Sequence, residues 1–462
     1  MWGLLKERAR PDRVRSNRYA PWFAVGSVCI GAFMGQLDAS IVTLIFPSLQ
    51  REFAAPLAAV QWVALAYLLV LIALLVGAGR LADALGRKFV YLCGFSVFTA
   101  ASAACGFAPS LPVLVACRMA QAAGAAMLQA NSVALVVTSV PRERMRIALG
   151  VQAAAQAVGL ALGPTVGGLV VASAGWRWVF WINVPVGLAA VVAGRYLLPR
   201  TREYSRGGGF DWPGLLLLAT ATTGLMLALS AAAGLAMPSW SIAALVVLAA
   251  VSTIGFWRRE RRAASPLVDP AMARNPAVAA GLAGAMFGYL VLFGPLVLVP
   301  QVLVAAGLGE LHAGLVLTAL PAGFAVAAII ADHTLPRQWG NRRRSLAGSL
   351  TSAAAVALLI VAPATPGLLV VMLAVLGLGL GVFVPANNAA VMAAVPVRMS
   401  ATAGGMINMS RGVGTALGIA VVTLALYLAH GPDVTGARAA LAVLAAAAPA
   451  AALTAQAARP RP

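Results

Sequence analysis

The chain has 462 residues, 61% of them hydrophobic and only 10% charged, with a formal net charge of +20. A soluble domain is nearer half apolar and a quarter charged, so this composition excludes a chain that covers its apolar surface with water-compatible side chains. A basic soluble chain points to nucleic acid, but that reading leaves the apolar bulk unexplained.

About 282 apolar side chains, at roughly 20 per membrane helix, amount to about fourteen spans. In chain order, apolar runs bounded by Gly, Pro and Arg predict spans near 22–44, 58–78, 89–107, 111–139, 147–172, 178–197, 213–233, 240–257, 277–303, 311–331, 345–363, 366–394, 402–429 and 437–455. Short connections alternate sides. Lys and Arg then divide 28 to 3 between the two sides, with Arg118 and Arg411 inside spans. By the positive-inside rule the side holding both termini is the cytoplasm. A missed span would invert every later loop, so the clean asymmetry supports the even number. Nine of the thirteen acids share that side, leaving a face of +19 toward anionic lipid headgroups. Membrane lipid is therefore an expected partner and nucleic acid is not.

The basic start from Lys6 to Arg18 runs into an apolar stretch too long for a signal core, and is expected to stay as the first span. The near-exclusive use of Arg over Lys, with abundant Ala and Gly, suggests a bacterial source. Cys29, Cys93, Cys105 and Cys117 lie in apolar runs without metal-ligand spacing and read as small buried hydrophobes.

Ala130-Asn131 recurs as Ala386-Asn387, each followed by Pro141 or Pro396, and Gly159-x3-Gly163 recurs as Gly414-x3-Gly418. The loop Gly86-Arg87-Lys88 has a counterpart in Gly340-Asn341-Arg342, and all these pairs are offset by 254 to 256 residues. The constant offset pairs spans 1–6 with 9–14 in one orientation and leaves spans 7 and 8 as an insert. Two six-helix halves related by an axis along the membrane normal form the arrangement of major facilitator transporters. The organisation is a basic N-terminus (1–21), an N-terminal half (22–200), an inserted pair with its loop (201–258), a cytoplasmic loop (259–276), a C-terminal half (277–456) and a tail (457–462).

Charged residues inside spans are costly and are functional candidates by default. Asp38, in Leu37-Asp38-Ala39-Ser40-Ile41-Val42, is the only acid well inside a span and is the natural proton carrier. Burial favours its neutral form and a neighbouring Arg118 favours its carboxylate, so protonation can respond to conformation. A purely structural Asp-Arg pair is the competing account.

The next loop reads Gly79-Arg80-Leu81-Ala82-Asp83-Ala84-Leu85-Gly86-Arg87-Lys88. Its glycines allow a tight turn, and Asp83 among bases can latch onto a neighbouring helix end. An ordinary basic loop is the alternative. Arg337 stands at the matching position in the second half, so the latch is expected on one side only. Gln121, Asn131, Asn387, Asn408 and Arg411 are candidates to line a central cavity, although Arg411 could instead snorkel to the nearby face.

Span 5 carries Gly159, Gly163, Pro164, Gly167 and Gly168; glycines four apart let helices approach and Pro164 bends the helix. Only Gly159 and Gly163 have repeat partners, which marks Pro164, Gly167 and Gly168 as the specialised part. Trp176-Arg177-Trp178, followed by Phe180 and Asn183, reads as an interfacial aromatic belt, Gly377-x-Gly379-x-Gly381 as helix packing, and His312, His333 and His430 as solvated surface groups.

These motifs resemble those of the major facilitator superfamily, and within it the fourteen-span drug:proton antiporters. The loop at Gly79–Lys88 is similar to G-x-L-a-D-r-x-G-r-k, span 5 to the antiporter motif G-x-x-x-G-P-x-x-G-G, and Asp38 and Arg118 to the L-D-x-T-I-V and R-x-x-Q-G-x-G elements. Ser40 and Ala122 replace the usual Thr and Gly.

The resemblance implies an all-α polytopic membrane protein with the major facilitator fold and cytoplasmic termini. It further implies a non-enzymatic exporter of an amphipathic, neutral or monocationic compound across the bacterial inner membrane. Protons entering on Asp38 would drive it, with no cofactor or metal, as a monomer; a periplasmic adaptor is left open. A dedicated exporter of one metabolite or antibiotic and a lipid flippase are the alternatives. A non-transporting sensor or scaffold is disfavoured because neither end extends far beyond the outermost spans.

Overall fold

The computed structural model describes residues 10–55, 57–201, 210–232, 237–307, 310–336, 338–361, 365–429 and 434–457. Arg337 and His430 lie outside the described residues, as do 1–9, the loop 202–209 and the tail from 458.

The principal elements are α1 (Ala20–Ile41), α2 (Trp62–Leu85), α3 (Arg87–Gly106), α4 (Leu111–Ser139), α5 (Met145–Ala174) and α6 (Asn183–Leu197), the last preceded by a turn at Arg177–Trp181. There follow α7 (Trp212–Ala232), α8 (Ser239–Glu260), α9 (Pro276–Ala305), α10 (Ala319–Thr334), α11 (Asn341–Val361), α12 (Pro366–Ala393), α13 (Ser400–Leu428) and α14 (Val434–Ala457). Helices are the expected solution for such apolar runs, because in lipid each backbone N–H and C=O must be satisfied within its own segment. Among the described residues thirteen helices are long and apolar enough to cross a membrane. In α14 the apolar stretch, Thr435–Ala448, is shorter than the others.

The basic segments gather at one end. There Arg10 Nε donates to Leu197 O at 2.7 Å, and Lys88 Nζ donates to Arg195 O and Leu198 O at 2.8 Å each, placing a cation on the carbonyl end of α6. Gly86 joins α2 to α3 at φ 106°, a conformation that a side chain would strain. At the opposite end Glu52 accepts from the Trp176 indole at 2.6 Å and pairs with Arg177 at 2.7 Å. The Trp176 hydrogen bond, with help from Arg177, holds the Glu52 carboxyl below the usual carboxylate range.

Contacts repeat at the sequence offset. A Cβ on Gly159 would lie 2.5 Å from Phe33 O, and one on Gly414 would lie 2.1 Å from Met286 O, so α5 crosses α1 as closely as α13 crosses α9. Gly377, Gly379 and Gly381 likewise let α12 approach the backbones of α10 and α11. The two halves meet through α2 on α13 and α5 on α10. At these seams a Cβ on Gly79, Gly405 or Gly150 would reach within 2.4, 2.5 or 2.0 Å of Ala401 O, Leu75 O or Ala328 O. All three glycines lie in the basic halves of their helices, so the halves are closed together at the basic end.

The inserted hairpin packs α7 on both α2 and α13, along one seam, with Leu215 filling the space over Gly77. Asp211 accepts from Gly214 N–H at 3.1 Å, capping α7, and pairs with Arg259 at the end of α8 at 2.7 Å.

Candidate functional site

Asp38 is 2% exposed and sits among α1, α3, α4 and α6 within the N-terminal half. Arg118 Nη1 donates to its Oδ2 at 2.7 Å, while Asn183 Nδ2 and Gln121 Nε2 donate to its Oδ1 at 2.9 and 3.1 Å. Gln121 also donates to Ser102 Oγ at 2.6 Å and accepts from Arg118 Nη1 at 2.6 Å. The guanidinium, 1% exposed, is completed by Val63 O at 3.3 Å and by the Tyr67 ring face, whose centroid lies 4.1 Å away. A buried carboxylate can remain charged only with this kind of compensation.

This cluster departs from sequence expectation in three ways. Gln121 is part of the Asp38 network and does not line a cavity between the halves. Asn183 and Ser102 were missed, Asn183 because its motif reads as an aromatic belt; its signal was a lone amide inside an apolar run. Trp176 is buried against Glu52, whereas Trp178 is half exposed as a belt residue should be.

The glycines of α5 support the same element. Gly159 and Gly163 face α1 on either side of Asp38, Gly163 so closely that a Cβ would lie 1.7 Å from Ser40 Oγ. Gly167 is buried, Gly168 meets nothing within 4 Å, and Pro164 lies within α5 with its side chain outside the described set. Gly159→Ala is therefore expected to lower stability by about 1–3 kcal/mol through overpacking against Phe33, while Gly168→Ala leaves it unchanged. Thermal melts of the two purified variants check this; equal melting points would refute the close-crossing account.

At the basic end, Asp83 accepts from Ala401 N–H at 3.1 Å and from Thr402 N–H and Oγ1 at 2.8 Å each. These are the first residues of α13, so the carboxylate sits on a helix N-terminus of the other half. Arg87 binds Asp83 at 3.1 Å and also donates to Val397 O.

Contrary to the one-sided expectation, the other seam has its own acid. Asp332, near the end of α10, pairs with Arg146 at the start of α5 at 3.1 Å and with Arg344 of α11. The acid stands earlier in register than Arg337, which is why a position-by-position match overlooks it.

Arg411 does not snorkel. It lies 11 residues into α13, about 17 Å from the basic end at 1.5 Å per residue, and is 6% exposed. Asp38, by contrast, is 18 residues into α1, about 27 Å from that end, so the buried charge nearest mid-depth is Arg411 and not the carboxylate. Arg411 donates to Gln156 of α5 and, at 2.9 Å, to Asn408, and its guanidinium covers the Tyr289 ring at 4.2 Å. Asn408 in turn donates to Gln129 O of α4 at 2.8 Å. Asn131 and Asn387 are drawn elsewhere. Asn131 donates to Met127 O one turn back in its own helix, at 2.7 Å, whereas Asn387 ties α12 to α9 by donating to Gly281 O at 2.8 Å.

Comparison with known proteins gives a consistent picture. Residues 28–419 match the model of the Major Facilitator Superfamily. The chain is 30% identical to the riboflavin transporter RibZ of Clostridioides difficile over 401 residues, 86% of this chain and 87% of that one. It is 32% identical to the tetracenomycin C resistance and export protein of Streptomyces glaucescens over 413 residues, 88% and 76% of the two chains. The solved structure of the human organic anion transporter MFSD10 superposes with a TM-score of 0.70 at 16% identity, covering 94% of this chain and 99% of that one.

Proposed function

Because the chain belongs to the major facilitator superfamily, we propose that it is a fourteen-span, proton-coupled antiporter exporting amphipathic drugs or small toxic compounds across the bacterial cytoplasmic membrane. The observation that carries this reading is Asp38, buried with Arg118, Asn183 and Gln121 in the helix that Gly159 and Gly163 lock onto α5.

A proton on Asp38 replaces the ion pair with ordinary hydrogen bonds and leaves Arg118 uncompensated. The cost is relieved if α1 shifts against α4 and α6. Since α1 rides on α5, and α5 forms a seam with α10, a proton event inside one half is transmitted to the contact between halves. The basic end is the cytoplasmic face, and both termini lie there. Substrate enters from the cytoplasm or inner leaflet when the Asp83 and Asp332 latches are open, and leaves when they close. The proton gradient supplies the energy, so no cofactor or metal takes part, and the monomer in lipid suffices.

A dedicated exporter of one compound is the second reading, supported by two relatives that are each named for one compound, riboflavin and tetracenomycin C.

Inverted membrane vesicles test the coupling. Wild type is expected to draw protons out of the vesicle lumen as it pumps a dye or antibiotic in, and Asp38→Asn is expected to do neither. Full proton-dependent transport by Asp38→Asn would remove Asp38 from the carrier role. Substrate movement by purified wild type in liposomes with no proton flux would make the protein a facilitator.

A further inference from the structure

Arg411 and Gln156 are 255 residues apart, which is the repeat offset itself. An axis that relates each position to its repeat mate can bring the two into contact only where it passes between them. Arg411 therefore stands on the pseudo-two-fold axis, between the halves and near mid-depth.

Its surroundings do not neutralise it. Among the described residues Arg411 forms no ion pair, its acceptors are the neutral amides of Gln156 and Asn408, and its Nε has no partner. One turn before Gln156 on the same face of α5, Gln152 is 3% exposed and its Nε2 is also without a partner. A guanidinium carries five donors in a planar fork suited to carboxylate-like groups. Burying it at mid-membrane without an anion to pair it is a cost that packing alone does not require.

We propose that Arg411 anchors the substrate and that the cleft between the halves takes an amphipathic organic acid. Its carboxylate or ionised phenol pairs with the Arg411 fork, the Gln152 amide donates to the same group, and the apolar body lies along Tyr289. This rests on the transporter reading and replaces the neutral or cationic substrate expected from the sequence. When the halves are closed at the basic end and no acid is present, Gln156 and Asn408 hold the guanidinium in its place.

The probes are fluorescein and rhodamine 123, which share a xanthene frame and differ in the sign of their charge, with binding to the purified full-length chain followed by fluorescence anisotropy. Wild type is expected to prefer fluorescein. Arg411→Gln should weaken fluorescein by about tenfold or more, as expected for loss of a charge-assisted pair in a dry site, without weakening rhodamine 123. Arg411→Lys should recover part of the loss.

If Arg411→Gln fails to fold, Gln152→Leu takes its place, with an expected loss for fluorescein alone. A preference of wild type for rhodamine 123, no fluorescein binding, or fluorescein binding that is indifferent to both substitutions would overturn the proposal. No gradient is applied, so a failure of proton coupling leaves this result untouched.

Discussion

Arg118→Leu is expected to destabilise the folded protein by about 3–5 kcal/mol, more than the double substitution Asp38→Asn with Arg118→Leu. The single change leaves a carboxylate that is 2% exposed with only the Asn183 and Gln121 amides for compensation. The double change leaves a neutral amide among hydrogen-bonding neighbours. Asp38→Asn alone strands the guanidinium, although Val63 O, Gln121 and the Tyr67 ring retain part of its stabilisation. Thermal melts of the two single variants and the double form a mutant cycle. Additive losses would mean that Asp38 and Arg118 do not act as a pair, and the proton mechanism would lose its physical basis. All three variants should lose proton-coupled efflux, so stability and transport separate in the double.

Replacing both seam acids, Asp83→Asn with Asp332→Asn, is expected to open the basic end. A hydrogen bond to a charged group contributes about 1.5–3 kcal/mol. Asp83 accepts three from the first residues of α13, and Asp332 holds Arg146 and Arg344. Losing one latch leaves the other and the glycine seams; losing both should shift the open population by about two decades, at 1.4 kcal/mol per decade.

A single cysteine at Ala153, which is 6% exposed and packed with residues of the C-terminal half, reports this when Cys29, Cys93, Cys105 and Cys117 are replaced by Ser. Maleimide labelling from the basic side should speed up slightly in each single variant and strongly in the double. Unchanged labelling in the double would show that the close backbone contacts at Gly79, Gly150 and Gly405 hold the seam without the acids.

The repeat and the latch were legible because their signals are local or periodic. Glycines at fixed spacing report close backbone approach, and Asp83 between Gly79 and Gly86 reports a turn with one acid among bases. The second acid, Asp332, was not legible by alignment of halves, since it stands in a different register and reaches the Arg146 and Arg344 side chains, not a helix-end backbone. Asn183 was hidden by the aromatic residues around it, whose enrichment at the membrane interface is the commoner meaning.

The sequence by itself determined the membrane class, the helical content, the two-fold organisation and the identity of the buried charges, because each follows from composition, periodicity or the cost of an ion in lipid. Only the tertiary structure decided which charges are compensated. Asp38 and Arg118 are 80 residues apart yet bonded, whereas Arg411 meets its own repeat mate across the axis and finds no acid among the described residues. Compensation depends on which faces of distant helices meet, and a one-dimensional pattern fixes the face of a helix without fixing its neighbour.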